Sequence, residues 1–267
     1  MIRQFLPSDK QTILDFAYQR EKENMFVIGS FTAYPKPFSQ NVYLGCYKDS
    51  ELIGIGTHFE KRFGSLVINS QSNESINEIV DGFISRDAKV EWVPAFKQYA
   101  VPIIERLRFH GIKPKKISEE TVFLLTHETF EDYSTGETAM ATKKDIEEII
   151  KLNRAVESEK IDAPITNRER KQVIIGHEWL LRKDGKIVSK ANIHGVSKSY
   201  IQIGGVATHP DHQGKGYAKQ TVSAVCNHWL EHEKEVILFT NNDNEAANKV
   251  YNTLGFKPID EYIIAEY

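Results

Sequence analysis

The stretch VATHPDHQGKGYA, Val206 to Ala218, leads from an apolar strand-like run into an amphipathic segment through two glycines separated by one lysine. A helix N-terminus presents unpaired N–H groups and the positive end of its dipole, so it attracts an anion. Gly214 and Gly216 carry no side chain to hold an anion away from the backbone, and Lys215 adds a cation. A pyrophosphate seated on this turn is the chemistry the spacing suits; a ligand-free glycine turn is the plainer alternative. The layout is neither a P-loop nor a dinucleotide fingerprint, because GKG lacks the GxxxxGK[ST] frame and Lys219 stands where a third glycine belongs.

A second stretch, NEAANKVYNTLGF from Asn244 to Phe256, follows at a short distance. Asn244 before Glu-Ala-Ala suits a helix N-cap. Tyr251 falls on the apolar side of that helix, where an aromatic ordinarily serves packing. Taken together, Gln213-x-x-Gly216-x-Ala218 and Asn244-x-x-Ala247-x-x-x-Tyr251-x-x-x-Gly255-Phe256 resemble the acyl-CoA loop and the following helix of the GNAT N-acetyltransferase superfamily. The resemblance implies that acetyl-CoA lies between the strands YIQIGGVAT and VILFT, its pantetheine arm along the backbone of Val206, Ala207 and Thr208. It implies that N–H groups of Gln213, Gly214, Lys215, Gly216, Tyr217 and Ala218 hold the pyrophosphate, with Asn244 as cap and cofactor contact. Gly204-Gly205 would mark a strand bulge, and Tyr251 would protonate the departing thiolate after direct attack by an amine. The glutamate that some members use as a base falls near Gln202, which takes no proton; Glu178, His194 and water remain alternatives.

The elements that must position these residues show an internal repeat. Lys48-Asp49 falls on Lys183-Asp184 at an offset of 135, each pair inside a strand–turn–strand pattern. HGIKP from His110 matches LGFKP from Leu254 at an offset of 144. The offset therefore grows by nine, and the inserted residues are the glycine loop. The polar segment Thr126 to Thr138 separates the halves, so residues 1–130 are expected to form a degenerate GNAT-like domain and 136–267 a cofactor-binding one. The expected fold is α/β: two GNAT-like domains, each a mixed, mostly antiparallel sheet flanked by helices. In the second half, hydrophobic periodicity predicts helices over Tyr217–Glu233 and Asn244–Leu254 and a buried parallel strand over Val236–Thr240. EYIIAEY is expected to close the chain at or near a sheet edge. The first half has no glycine loop, places Glu74 and Glu78 at its helix start, and has Leu107 where Tyr251 would fall.

Composition narrows the functions. The 267-residue chain is 40% hydrophobic and 27% charged, with a formal net charge of -3. It has no basic footprint for nucleic acid and no apolar run of membrane-spanning length, so neither partner is expected. No signal-peptide pattern opens the chain, and Cys46 and Cys226 form no disulfide framework, which points to a cytoplasmic setting. His228 and His232 lie one helical turn apart without a third ligand, so no metal is expected. The activity expected is acetyl transfer from acetyl-CoA to a primary amine. The alternative is an acyl-CoA sensor that has lost catalysis, favoured by Gln202 and opposed by Tyr251. An enzyme using charged tRNA is disfavoured by the acidic balance and the intact loop. No residue names the acceptor; Phe31 to Asn41 is either a wall of its pocket or a surface loop.

Overall fold

Asp49 and Ser50 have φ of 49° and 69°, and Asp184 and Gly185 have 49° and 77°. Positive φ at both central residues gives the tight hairpin turn whose twist matches the strands it joins. The two hairpins are thus built alike at the repeat offset, and they anchor two halves of similar order. The computed structural model describes every residue except 34–35, 62–63 and 174–176. In the first half the order is β1 (Ile2–Gln4), α1 (Lys10–Tyr18), α2 (Met25–Ala33), β2 (Val42–Lys48), β3 (Glu51–Phe59), β4 (Ser65–Ser70), α3 (Asn73–Ile84), β5 (Trp92–Phe96), α4 (Lys97–Phe109) and β6 (Lys116–Leu125). The second half runs β7 (Thr138–Met140), α5 (Ile146–Val156), α6 (Asn167–Gln172), β8 (Glu178–Lys183), β9 (Lys186–Val196), β10 (Tyr200–Thr208), α7 (Tyr217–Glu231), β11 (Glu235–Asn241), α8 (Glu245–Thr253) and β12 (Lys257–Glu266).

The twelve strands among the described residues join one sheet in the order β1-β2-β3-β4-β5-β12-β6-β11-β10-β9-β8-β7. Pairing is antiparallel except at β4–β5 and β10–β11. The middle of this order holds a reciprocal exchange. β6 follows α4 yet pairs with β11 of the second half, Leu125 opposite Val236. β12 follows α8 yet pairs with β5 of the first half, Tyr262 opposite Phe96, and with β6 along nearly its whole length. The closing strand is therefore central, not at or near a sheet edge as expected from the sequence. Each half leaves one side of its fifth strand unpaired, and the other half's last strand covers it.

The core divides accordingly. One cluster packs α3 and α4 through Ile79, Phe83, Ile103 and Leu107; another packs α7 and α8 through Val222, Val225, Leu254 and Phe256. Both cysteines are free and fully buried. Burial pushes the Cys46 thiol up to about 11, and burial also raises Cys226. No helix among the described residues is long and apolar enough to cross a membrane.

Candidate active site

β10 runs parallel to β11 for three register pairs, from Tyr200 opposite Glu235 to Gln202 opposite Ile237, and the ladder then ends. On its other side β10 slips against β9 between Gln202 and Ile203 and between Gly204 and Ala207. Gly205 sits at φ 53° in that irregularity, and a Cβ on Gly204 would come within 2.1 Å of the His194 ring. Glycine is thus required twice in succession: once for a left-handed backbone and once for close packing. Where the strands part, a cleft of about 850 Å³ opens. Val206, Thr208, Gln213, Gly214, Gly216, Tyr217, Ala218, Asn244 and Tyr251 line it. The structure therefore gathers nearly all the residues singled out above. Ala207 and Lys215 stand outside the lining: the Ala207 carbonyl accepts from Ser189 Oγ at 3.1 Å, and Lys215 Nζ donates to the Asp211 carbonyl at 3.1 Å.

The mouth of the cleft is the glycine turn. Gly214 and Gly216 have φ of 74° and 79°, and a Cβ at either would meet nothing within 4 Å. The turn faces open space, and its conformation suits a residue without a side chain. Gly216 is the N-cap of α7 and supplies no side-chain cap, so the first N–H groups of a 15-residue helix keep no side-chain acceptor from that position. His209 shapes the approach: its Nδ1 accepts from the Asp211 N–H at 3.3 Å, and its ring packs on His212. On the far wall Asn244 caps α8, its Oδ1 accepting from the Ala247 N–H at 3.1 Å.

Tyr251 closes the inner end. Its ring packs against Phe123 and Phe256 and is 6% exposed, yet its hydroxyl has no hydrogen-bond partner among the described residues. Burial raises the phenol well above its ordinary range, with smaller contributions from Cys226 and Glu120, so it stays protonated at neutral pH. Gly255 fixes this helix end: its φ is 95°, and a Cβ there would collide with the Thr129 carbonyl at 1.7 Å. Of the base candidates, Glu178 is 3% exposed and bonds to Lys190 Nζ at 3.3 Å and to Asn192 Nδ2 at 3.4 Å, while His194 packs against Gly204. Gln202 is buried beneath α2. Of Phe31 to Asn41, the stretch open to reading as acceptor wall or surface loop, residues 34–35 lie outside the described residues. Among the lining groups that sequence reasoning missed is Glu120 of β6. No motif marks it, because it arrives from the first half through strand exchange.

The family model described as "Acetyltransferase (GNAT) family" matches residues 145–256, a span holding the splayed strands, the glycine turn and Tyr251. Residues 145–256 are a GNAT acetyltransferase domain. The whole chain has the tandem form of that fold. A tandem GNAT protein from the clavulanic acid biosynthesis pathway superposes over all of this chain and 98% of its own, with a TM-score of 0.65 at 13% identity. A GNAT-family acetyltransferase from Colwellia psychrerythraea covers 100% of this chain and 99% of its own, at 0.60 and 14%. A Drosophila protein does so over 100% and 98%, at 0.70 and 9%. Identities this low carry the fold alone. A comparison with curated protein sequences finds no match. Within the GNAT domain, the glycine turn and Tyr251 line one cleft, and among its described residues the first half presents no counterpart to either.

Proposed function

We propose that the chain is an N-acetyltransferase that moves an acetyl group from acetyl-CoA to a primary amine, with residues 136–267 holding the acetyl-CoA and residues 1–130 retaining the fold without that site. One observation carries this reading: the end of the β10–β11 ladder, an uncapped glycine turn and an unpartnered tyrosine hydroxyl share one cleft. The open space above Gly214 and Gly216 fits a pyrophosphate, which N–H groups from Gln213 to Ala218 would hold. Val206, Ala207 and Thr208 offer backbone on a strand edge that β11 no longer covers, suited to an extended amide-bearing arm. Asn244 keeps the α8 helix start closed beside it.

Acetyl-CoA, when bound, supplies an activated thioester carbonyl. The irregular β10 backbone at Gly204–Gly205 would aim an N–H at the carbonyl oxygen as charge builds there. Tyr251, neutral and buried, donates a hydrogen bond to the departing sulfur and passes it a proton as the carbon–sulfur bond breaks. The two buried free cysteines fit a reducing, cytoplasmic setting. Titration calorimetry with acetyl-CoA, followed by CoA-release assays against an amine panel, tests the reading. One site per chain and amine-dependent CoA release are expected. Tight binding with no release on any amine would turn the assignment to an acyl-CoA sensor, and no binding would overturn both.

A further inference from the structure

The cleft of the second half is not lined by the second half alone. Glu120 stands on β6, opposite Asn241 of β11 on one side and Tyr262 of β12 on the other. Facing residues of paired strands share a sheet face. Val122 and Phe239 occupy that same face by alternation, and Phe239 packs against Phe26 of α2 at 6.2 Å and stacks on Tyr262 at 4.4 Å. Phe123 and Leu238 alternate to the other face, where they join the core of α7 and α8 with Tyr251. Tyr251 and Glu120 therefore approach one gap from the two faces of the sheet, and both line it. Glu120 is half-buried, and its carboxylate makes no hydrogen bond or ion pair among the described residues. Glu178, by contrast, is paired with Lys190. A partly buried carboxylate without a cation is costly, and such a group is suited to one that arrives with a ligand.

We infer that Glu120 receives the acceptor as a cationic primary ammonium and takes its proton, so that the first half supplies the base for a reaction seated in the second. This rests on the acetyl-transfer reading above. The ammonium gives one proton to the Glu120 carboxylate and becomes a neutral amine. Its nitrogen lone pair forms the new bond to the acetyl carbon, and the carbon–sulfur bond breaks with its electron pair on sulfur. The sulfur takes a proton from Tyr251, and the second proton of the nitrogen restores the phenol. Glu120 releases its proton to water, leaving an amide, a thiol and one proton. Burial raises the Glu120 carboxyl above the ordinary carboxylate range, which brings it nearer the pH at which a base of this kind works. The titratable groups that line the same cleft are Tyr251 and Lys249 from α8, Lys219 from α7 and His212 from the turn before it, and Tyr262 of β12 pairs beside Glu120; both tyrosines are themselves pushed up by burial. None of them is a partner that would hold the carboxylate down.

The test begins with the full chain loaded with CoA, ¹³C-labelled at glutamate side chains, with Glu120→Gln identifying the resonance. The Glu120 carboxyl should titrate above the ordinary glutamate range, and 1-propylammonium chloride should move its midpoint down, because a nearby cation favours the carboxylate. The neutral probe 1-propanol should leave it in place. In turnover with the best amine of the panel, Glu120→Gln should lower kcat/KM by ~10²-fold and abolish the acid limb of the pH profile, with CoA affinity unchanged. An ordinary midpoint, one that ignores the ammonium probe, or full turnover in Glu120→Gln overturns the inference while CoA binding leaves the parent reading standing. Failure of the wild-type chain to bind CoA removes both.

Discussion

The β4–α3 turn and the β10–α7 turn occupy the same place in the two halves and do opposite things with it. β4 pairs with β3 in unbroken register, whereas β10 slips twice against β9. At the repeat offset of 135, Asn69 and Ser70 stand where Gly204 and Gly205 do. Asn69 Nδ2 donates to Glu23 Oε2 at 3.2 Å, Tyr99 donates to the same oxygen, and Arg20 donates to Tyr99 at 2.5 Å. This network ties β4 to the β5–α4 junction, across the gap that stays open in the second half. Burial and Glu23 push the Tyr99 hydroxyl up to about 12. The helix starts differ in the same sense. Ser72 caps α3, its Oγ accepting from the Ser75 N–H at 3.3 Å, and Glu74 sits in the first turn, while α7 has neither device. A helix start that satisfies itself has little to offer an anion; one left bare is a site. The difference between the halves comes from a few polar side chains and one loop, on a shared backbone plan.

Separating the halves should have the largest effect. Residues 126–267 alone would lack β6, leaving β11 and β12 without their partner strand, and would lose Glu120. Size-exclusion chromatography and circular dichroism should find aggregate or associated chains; a stable monomer that binds acetyl-CoA would remove the exchange as a requirement. Next comes Gly216→Val, which puts a β-branched residue at φ 79° and fills the open space above the turn. Acetyl-CoA affinity should fall ~10²-fold or more, since strain of ~1–2 kcal/mol adds to lost backbone approach. The wild-type chain should bind one acetyl-CoA, not two, because Ser72 and Glu74 close the first half's site; a second equivalent site would end the comparison.

Tyr251→Phe keeps the ring between Phe123 and Phe256 and removes the hydroxyl. Turnover should drop by ~10²-fold with acetyl-CoA affinity nearly constant, and wild-type turnover where chemistry limits the rate would leave Tyr251 a packing residue. The smallest effect belongs to Ser72→Ala, which removes the α3 cap at a cost of about 1 kcal/mol. A shift of roughly 2–4 °C in Tm, with no change in acetyl-CoA affinity, would mark that turn as purely structural.

The sequence by itself determined what depends on neighbours along the chain. The paired hairpin turns, the glycine loop as the one insertion between repeats, the Asn244 cap and the placement of Tyr251 before Gly255 all follow from residues within one or two turns of each other. Side-chain length, allowed φ and helical spacing act over that range. Only the tertiary structure decided which strand lies beside which. β12 ends the chain but lies at the centre of the sheet, and β6 belongs by order to the first half but completes the second. Strand pairing is made through backbone groups that every residue carries, so the identities of Glu120 and Asn241 do not announce that they will face each other. What selects the pairing is burial of two open strand edges and the apolar faces beside them. That is a property of the whole chain, and it places a carboxylate from one half in the cleft of the other.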